Sequence, residues 1–170
     1  MTKVPLPNNQ IQGPFLIRLD KFVDDRGCFF ELFRNNQLHE FELGNFVQDN
    51  VSVSQPGVLR GLHFQDPPQG KLVIVLTGRI LDVMVDLRKG SPTWGHSIKY
   101  QMSSEAPEWL WVPPGFAHGF LAPPKEPATV LYRCSQYYNP SSESGIIWND
   151  SDLKIDWGVS NPKLSKKDNS

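Results

Sequence analysis

An all-β sandwich or barrel is the fold class this sequence predicts, and three observations predict it. The 13 Gly and 15 Pro are scattered along the chain and cut it into apolar segments mostly too short for globular helices. Residues 71–77 (KLVIVLT) are rich in β-branched side chains and stop at Gly78, after which residues 80–88 (ILDVMVDLR) resume at once, which reads as a hairpin. Within that second segment Leu81, Val83, Val85 and Leu87 share one face and Asp82, Met84 and Asp86 the other, a period of two that predicts a core face and a polar face.

Residues 15–18, 28–34, 46–53, 96–102, 109–112, 116–121 and 129–137 are the further strand candidates, a density that fits a closed or two-layered sheet. Only residues 35–43 read as helical, with Asn35 as a capping candidate and Leu38, Phe41 and Glu42 at helical spacing. A short turn is expected near 103–107. The polar, lysine-rich stretch 160–170 reads as a frayed terminus. With 170 residues and no repeat or low-complexity linker, the expectation is a single domain over 1–170 with a core that needs no disulfide or metal staple.

Seventeen Lys and Arg against 18 Asp and Glu give a formal net charge of -1, which argues against nucleic acid or a membrane surface as partner through bulk positive charge. No apolar run approaches the roughly 18 residues of a membrane span. Residues 1–10 lack the charged-then-apolar layout of a secretory signal, so a cytoplasmic protein is expected. Cys28 and Cys134 show no metal-type spacing and are assigned no chemistry.

Reactive side chains concentrate in three places. Residues 57–71 (GVLRGLHFQDPPQGK) gather Arg60, His63 and Lys71 among glycines and prolines and read as a loop ahead of the strongest strand. Residues 111–120 (WVPPGFAHGF) set His118 between apolar and glycine neighbours, and residues 130–139 (VLYRCSQYYN) carry Tyr132, Tyr137 and Tyr138, the first and last sharing strand parity. Taken singly, a strand histidine or tyrosine is more often structural than catalytic; the clustering is what points to a site.

In order and spacing, GVLRGLHFQ, PQGK, DVMVDLR, PPGFAHGF, LYRCSQYY and GIIWND resemble the dTDP-4-dehydrorhamnose 3,5-epimerases, a branch of the cupin superfamily. The likeness runs from Asp24-Asp25-Arg26-Gly27 through Gln48–Asn50 to Leu164–Asp168, nearly the whole chain. It implies a jelly-roll barrel, a homodimer, no cofactor, and epimerisation at C3 and C5 of a dTDP-linked 4-keto-6-deoxy sugar on the way to dTDP-L-rhamnose. A C4 ketone acidifies the C–H bonds at C3 and C5, so inversion requires a base on one face, an acid on the other and a counter-charge for the enolate, with no redox step. The resemblance implies that His63 is the base, Tyr132 the opposing acid, Lys71 the cation beside the C4 oxygen and Asp168 the carboxylate that orients His63. Asp82 or Asp86 remains an alternative orienting carboxylate. Arg26, Glu31, Gln48, Asn50, Arg60, His118, Glu143 and Lys167 are implied as substrate contacts and Tyr138 as the stacking surface for thymine, with Arg26 and Glu31 able to serve a neighbouring subunit.

Other readings are weighed beside this one. In a metal-dependent cupin a second histidine would stand at Gln65 and a glutamate at Lys71; with only His63 and His118 left, no metal is expected. A nucleotide-sugar-binding module without activity would keep the cations and aromatics but lose base or acid, and His63 and Tyr132 are both present. A C3-only epimerase, or one acting on another nucleotide-linked 4-keto sugar, remains open.

Overall fold

The computed structural model describes residues 1–7 and 10–169. In chain order the elements are β1 (Thr2–Pro5), β2 (Phe15–Arg18), β3 (Lys21–Asp24), β4 (Gly27–Phe30), α1 (Asn35–His39), β5 (Gln48–Ser54), β6 (Leu59–Gln65), β7 (Lys71–Thr77), β8 (Arg79–Asp86), β9 (Ser97–Ser103), β10 (Glu108–Val112), β11 (Phe116–Leu121), β12 (Ala128–Cys134) and β13 (Glu143–Gly145). They form a six-stranded sheet in the order β1-β2-β10-β7-β12-β5, a five-stranded sheet β13-β6-β11-β8-β9, and a separate β3-β4 ribbon. Every pairing between these strands is antiparallel. The expected all-β class holds, and the two facing sheets are those of a cupin-like jelly roll.

Three corrections to the sequence reading matter for the site. First, β7 and β8 are not a hairpin: β7 pairs with β10 and β12, whereas β8 pairs with β11 and β9. Gly78 carries the chain from one sheet to the other at φ +75, and a Cβ there would lie 2.2 Å from the Pro127 carbonyl oxygen, so only glycine fits this crossover. Second, the face of β8 read as core is the outside of its sheet, and the face read as polar looks into the barrel. Ile80 and Met84 join Val73, Val75, Leu110, Val130, Phe116 and Phe120 between the sheets. Val83 and Val85 join Leu59, Leu62, Ala117, Leu121 and Trp157 on the outer face. Period two reveals that two environments exist but not which is inside when both are covered.

Third, residues 59–65 are strand β6 and not a loop. Its register against β11 pairs Leu59 with Leu121, Arg60 with Phe120 and His63 with His118, so β6 uses three steps where β11 uses two. The extra residue is a β-bulge. It lets Arg60 and His63, which strict alternation would put on opposite faces, both line the interior, while Leu59 and Leu62 both pack outward. Gly61 and Gly119 permit it by direct backbone contact: a Cβ on Gly61 would lie 2.6 Å from the Gly119 Cα.

The outer faces are covered by the rest of the chain. Phe15, Ile17, Leu72, Ile74, Trp109 and Trp111 pack under Leu38 and Leu43 on one side. The helix is shorter than expected, since Glu42 (φ 58) and Gly44 (φ 72) turn the chain back onto this cluster, and Asn35 is its first residue rather than its cap, a position held by Arg34 without a side-chain hydrogen bond. On the other side Trp148, Leu153, Ile155, Trp157 and Leu164 cover the five-stranded sheet. The expected frayed terminus is instead a strap. Leu59 N–H donates to the Lys163 carbonyl at 3.0 Å and Lys163 N–H to the Gly57 carbonyl at 2.7 Å, a parallel bridge that ties it to the start of β6. Ser170 lies outside the described residues. Among the described residues no helix is long and apolar enough to cross a membrane.

Trp157 is 3% exposed and its indole N–H donates to the Trp148 carbonyl at 2.8 Å. Trp157→Ala is expected to cost about 3–5 kcal/mol, the range for removing a buried aromatic. Urea denaturation checks this, and a change below about 1 kcal/mol would mean that the strap is not anchored there.

Candidate active site

A cavity of about 670 Å³ opens into the barrel, and side chains from both sheets line it. The residues that reach it sit at inward-facing positions: Gln48 and Asn50 on β5, Lys71 at the start of β7, His118 on β11, Tyr132 and Cys134 on β12, and Arg60 and His63 on either side of the bulge. Cross-strand register sets several of these side by side, with His118 opposite His63, Cys134 opposite Lys71 and Tyr132 opposite Asn50.

His63 Nε2 lies 2.6 Å from Asp168 Oδ1, a contact that spans 105 residues of sequence. The carboxylate is itself held. Its Oδ2 accepts from Ser165 Oγ at 2.7 Å, and the same hydroxyl accepts the Asp168 N–H at 3.1 Å. With Nε2 committed to the carboxylate, Nδ1 is the nitrogen left for chemistry; Glu143 Oε1 stands 3.8 Å from it. Burial lowers the His63 pKa, opposed by the charge and hydrogen bond of Asp168 and by the charge of Glu143, while Lys167 adds to the lowering. The imidazole therefore keeps its neutral form, the one that can accept a proton, to lower pH than an unperturbed histidine.

His118 repeats the arrangement one strand away, its Nε2 2.8 Å from Oδ2 of the buried Asp82. Asp82 thus does orient a histidine, but His118 rather than His63. Asp86, the other alternative, is turned to the β8–β9 loop, where it accepts hydrogen bonds from Arg88, Ser91 and Thr93.

Across the barrel, burial raises the Tyr132 pKa, helped by Cys134 and opposed by Arg60, so the phenol keeps its proton at neutral pH. Burial lowers the Lys71 pKa, and Cys134, Glu143 and Asp82 oppose it. The Cys134 thiol is raised by burial and accepts a hydrogen bond from Asn50 Nδ2 at 3.7 Å. At the mouth, Tyr138 donates its hydroxyl proton to Glu143 Oε2 at 2.6 Å, and Lys167 pairs with the same oxygen. These partners outweigh burial and leave Glu143 below the usual carboxylate range. Arg60 reaches Ser54 Oγ at 3.0 Å. Among the described residues, no group of three or more His, Cys, Asp or Glu side chains is placed to hold a metal ion.

The expected residues His63, Lys71, Asp168, Gln48, Asn50, Arg60, His118, Tyr132, Tyr138 and Glu143 all line this cavity, and Lys167 joins through Glu143. Tyr138 gets there differently than expected, since β12 ends at Cys134 and strand parity does not extend to it. Arg26 and Glu31 are not brought to the cavity of their own chain: Arg26 pairs with Asp24 at the tip of the β3-β4 ribbon, and Glu31 with Arg34. Cys134, Gln65 and Ser165 were not anticipated as part of the site. Ser165 carried a signal, since a hydroxyl three residues before an aspartate is a common local turn spacing.

Residues 8–170 match the family model described as dTDP-4-dehydrorhamnose 3,5-epimerase. The chain is 49% identical over 153 residues to the Salmonella typhimurium protein of that name, covering 86% of this chain and 82% of that one. It is 48% identical over 149 residues to the one from Methanothermobacter thermautotrophicus, covering 86% and 80%. Among solved structures, the dTDP-6-deoxy-D-glucose-3,5-epimerase of Legionella pneumophila in complex with dTDP-4-keto-L-rhamnose superposes with TM-score 0.91 and 42% identity over 98% of this chain and 89% of that one. A 3'-monoepimerase from Streptomyces bikiniensis in complex with dTDP-quinovose gives TM-score 0.87 and 34% identity over 97% and 84%.

The His63–Asp168 contact is open to direct titration. By NMR, His63 is expected to titrate below its ordinary value of 6.5. In Asp168→Asn it should titrate lower still, because the substitution removes the charge and the acceptor that favour imidazolium while leaving the burial. An unchanged or raised value would separate Asp168 from His63 in solution.

Proposed function

The chain belongs to the dTDP-4-dehydrorhamnose 3,5-epimerase family, and from that premise we propose that it inverts C3 and C5 of dTDP-4-dehydro-6-deoxy-D-glucose to give dTDP-4-dehydro-L-rhamnose, with His63 as base and Tyr132 as acid. The observation that carries the assignment is that His63 and Tyr132 stand on opposite sheets across one cavity, where burial shifts each toward the neutral form its role requires.

The chemistry follows from that placement. His63 Nδ1 takes the C–H proton next to the C4 ketone, and the C–H electron pair moves into the ring to give an enolate with its charge on the C4 oxygen. Lys71, a half-buried cation at the start of β7, balances that charge. Tyr132 then delivers a proton to the same carbon from the other face, which inverts it. The imidazolium is stabilised by Asp168 until it loses its proton, and the phenolate recovers one; no electron leaves the substrate and substrate and product are isomers. His118, fixed by Asp82, and Asn50 suit the sugar hydroxyls, Arg60 and Lys167 the diphosphate, and Tyr138 the thymine face. Gln48 and Glu143 hold the Tyr138 segment as well as facing the pocket.

Incubating dTDP-4-keto-6-deoxy-D-glucose with the protein in deuterated buffer and following the C3 and C5 proton signals tests the reading. Loss of both signals with formation of the L-lyxo product is expected. Exchange at C3 alone would make the protein a monoepimerase, and dTDP binding without exchange would make it a binding module. His63→Asn and Tyr132→Phe are each expected to lower kcat/KM by at least about 100-fold while dTDP binding, read by calorimetry, is retained. Turnover near wild type in either variant would overturn that residue's role.

The same reading includes a homodimer. Phe22, Val23 and Phe29 on the β3-β4 ribbon are exposed, as are Val51 and Val53 on β5, which is an open sheet edge. Apolar side chains on an unpaired edge are what a subunit interface covers. Such an interface would carry Arg26 and Glu31 from the ribbon to the neighbouring cavity. The free thiols Cys28, exposed, and Cys134, buried, suit the reducing cytoplasm. Light scattering should give twice the 19.3 kDa chain mass for the wild type and a single chain for Val53→Lys combined with Phe29→Asp. A monomeric wild type would remove the dimer and with it the role of Arg26 and Glu31.

A further inference from the structure

After Cys134 the chain leaves the sheet, and residues 135–139 have no strand partner for their backbone, although they carry Tyr138 to the mouth of the cavity. The Ser135 N–H donates to the Gly70 carbonyl at 2.9 Å, and Gln136, Tyr137 and Tyr138 are exposed, so nothing but side-chain contacts gives this stretch a fixed path toward the cavity. Three glutamines supply those contacts: Gln48 on β5, Gln65 at the end of β6 and Gln69 in the loop that follows it. Gln69 Nε2 donates to the Gln136 carbonyl at 2.7 Å, and Gln48 Oε1 accepts the Tyr138 N–H at 2.9 Å. Between them Gln65 Nε2 donates to the Tyr137 carbonyl at 3.0 Å while its Oε1 accepts the Asn139 N–H at 3.4 Å.

Gln65 is the buried member of the three, 7% exposed, at the end of β6 two residues past His63. In register it faces Glu143, the residue that receives the Tyr138 hydroxyl proton. One primary amide therefore supplies a donor and an acceptor to successive peptide groups on either side of Tyr138, which neither a carboxylate nor an apolar side chain of that size can do. The Tyr138 ring is fixed at its root by Gln48 and Gln65 and at its tip by Glu143.

We propose that Gln65 is a positioning residue for the nucleotide: by clasping the peptide groups on both sides of Tyr138 it presets the ring on which the base stacks, and so sets affinity for the dTDP moiety without taking part in proton transfer. This rests on the function proposed above, in which Tyr138 receives the thymine. Because His63, Lys71 and Tyr132 have contacts of their own, loss of the clasp should raise KM and leave kcat in place.

The experiment compares wild type, Gln65→Met, Tyr138→Ala and the double variant, using dTDP in calorimetry and dTDP-4-keto-6-deoxy-D-glucose in turnover. Gln65→Met is expected to weaken dTDP binding and raise KM about ten-fold, the scale of one or two lost buried hydrogen bonds, with kcat within about two-fold. In the Tyr138→Ala background the same substitution should change dTDP affinity by less than about two-fold, because the ring it positions is gone. Should Gln65→Met fail to fold, Gln65→Asn, neutral but one methylene too short to reach both peptide groups, carries the same expectations. Unchanged dTDP affinity, an equal loss with and without Tyr138, or a kcat that falls with affinity would each overturn the proposal while a binding, active wild type leaves the epimerase reading intact. A wild type that neither binds dTDP nor turns over the sugar would remove that reading and this inference together.

Discussion

The backbone contact between Gly61 and Gly119 is the constraint from which the site follows. Two strands can approach this closely only where neither carries a Cβ, and the approach accommodates one extra residue on β6. Without it, side chains three apart would point to opposite faces, and Arg60 and His63 could not share a cavity. The same bulge turns both Leu59 and Leu62 outward, toward the cluster beneath the C-terminal strap. A local irregularity thus fixes the inner and the outer face of β6 together.

The strap shows how packing and chemistry are divided along one segment. Its docking rests on the buried Trp157 and on the partly buried Leu153, Ile155 and Leu164 against the five-stranded sheet, the last three each contributing less than the about 1.5–3 kcal/mol of a fully buried aliphatic side chain. The backbone bridge at Lys163 adds direction to that burial. Only after this anchoring do Ser165, Lys167 and Asp168 reach the cavity. The half-exposed Lys167 pair with Glu143 contributes little to holding the tail. Carboxylate placement is therefore a consequence of hydrophobic contacts made four to fifteen residues earlier in the chain.

This division explains what could be read in the sequence. The β class, most strand positions and the residues around the cavity were legible, because β-branched runs, glycine punctuation and a clustered Arg, His and Lys are local signals. The pairing of β7 was not, since a glycine between two strands signals a reversal without saying whether the second strand joins the same sheet. The inner face of β8 was misassigned because its outer face is also apolar, owing to a strap almost 70 residues downstream. The tail looked frayed for the same reason: residues 160–170 are polar by themselves, and their order comes from Leu59, Gly57 and His63. The role of Gln65 was hidden because its partners are peptide groups, which no side-chain motif marks.

Burial acts on His63, Tyr132 and Lys71 alike, and its sign differs with the charge of each. Removing water disfavours whichever form is ionised, so it lowers His63, raises Tyr132 and lowers Lys71. For the first two the neutral form is the useful one, an imidazole that can accept a proton and a phenol that can give one. Lys71 is the exception, since its contribution depends on charge. It is also the group toward which Cys134, Glu143 and Asp82 act against the burial, and Asp82 keeps one buried carboxylate oxygen without a hydrogen-bond partner. In the reaction proposed for this cavity, the negative charge that grows on the sugar oxygen sets a further anion beside the ammonium and strengthens its hold on its proton. The cation is then most firmly charged in the transition state, where its stabilisation lowers the barrier rather than the ground state.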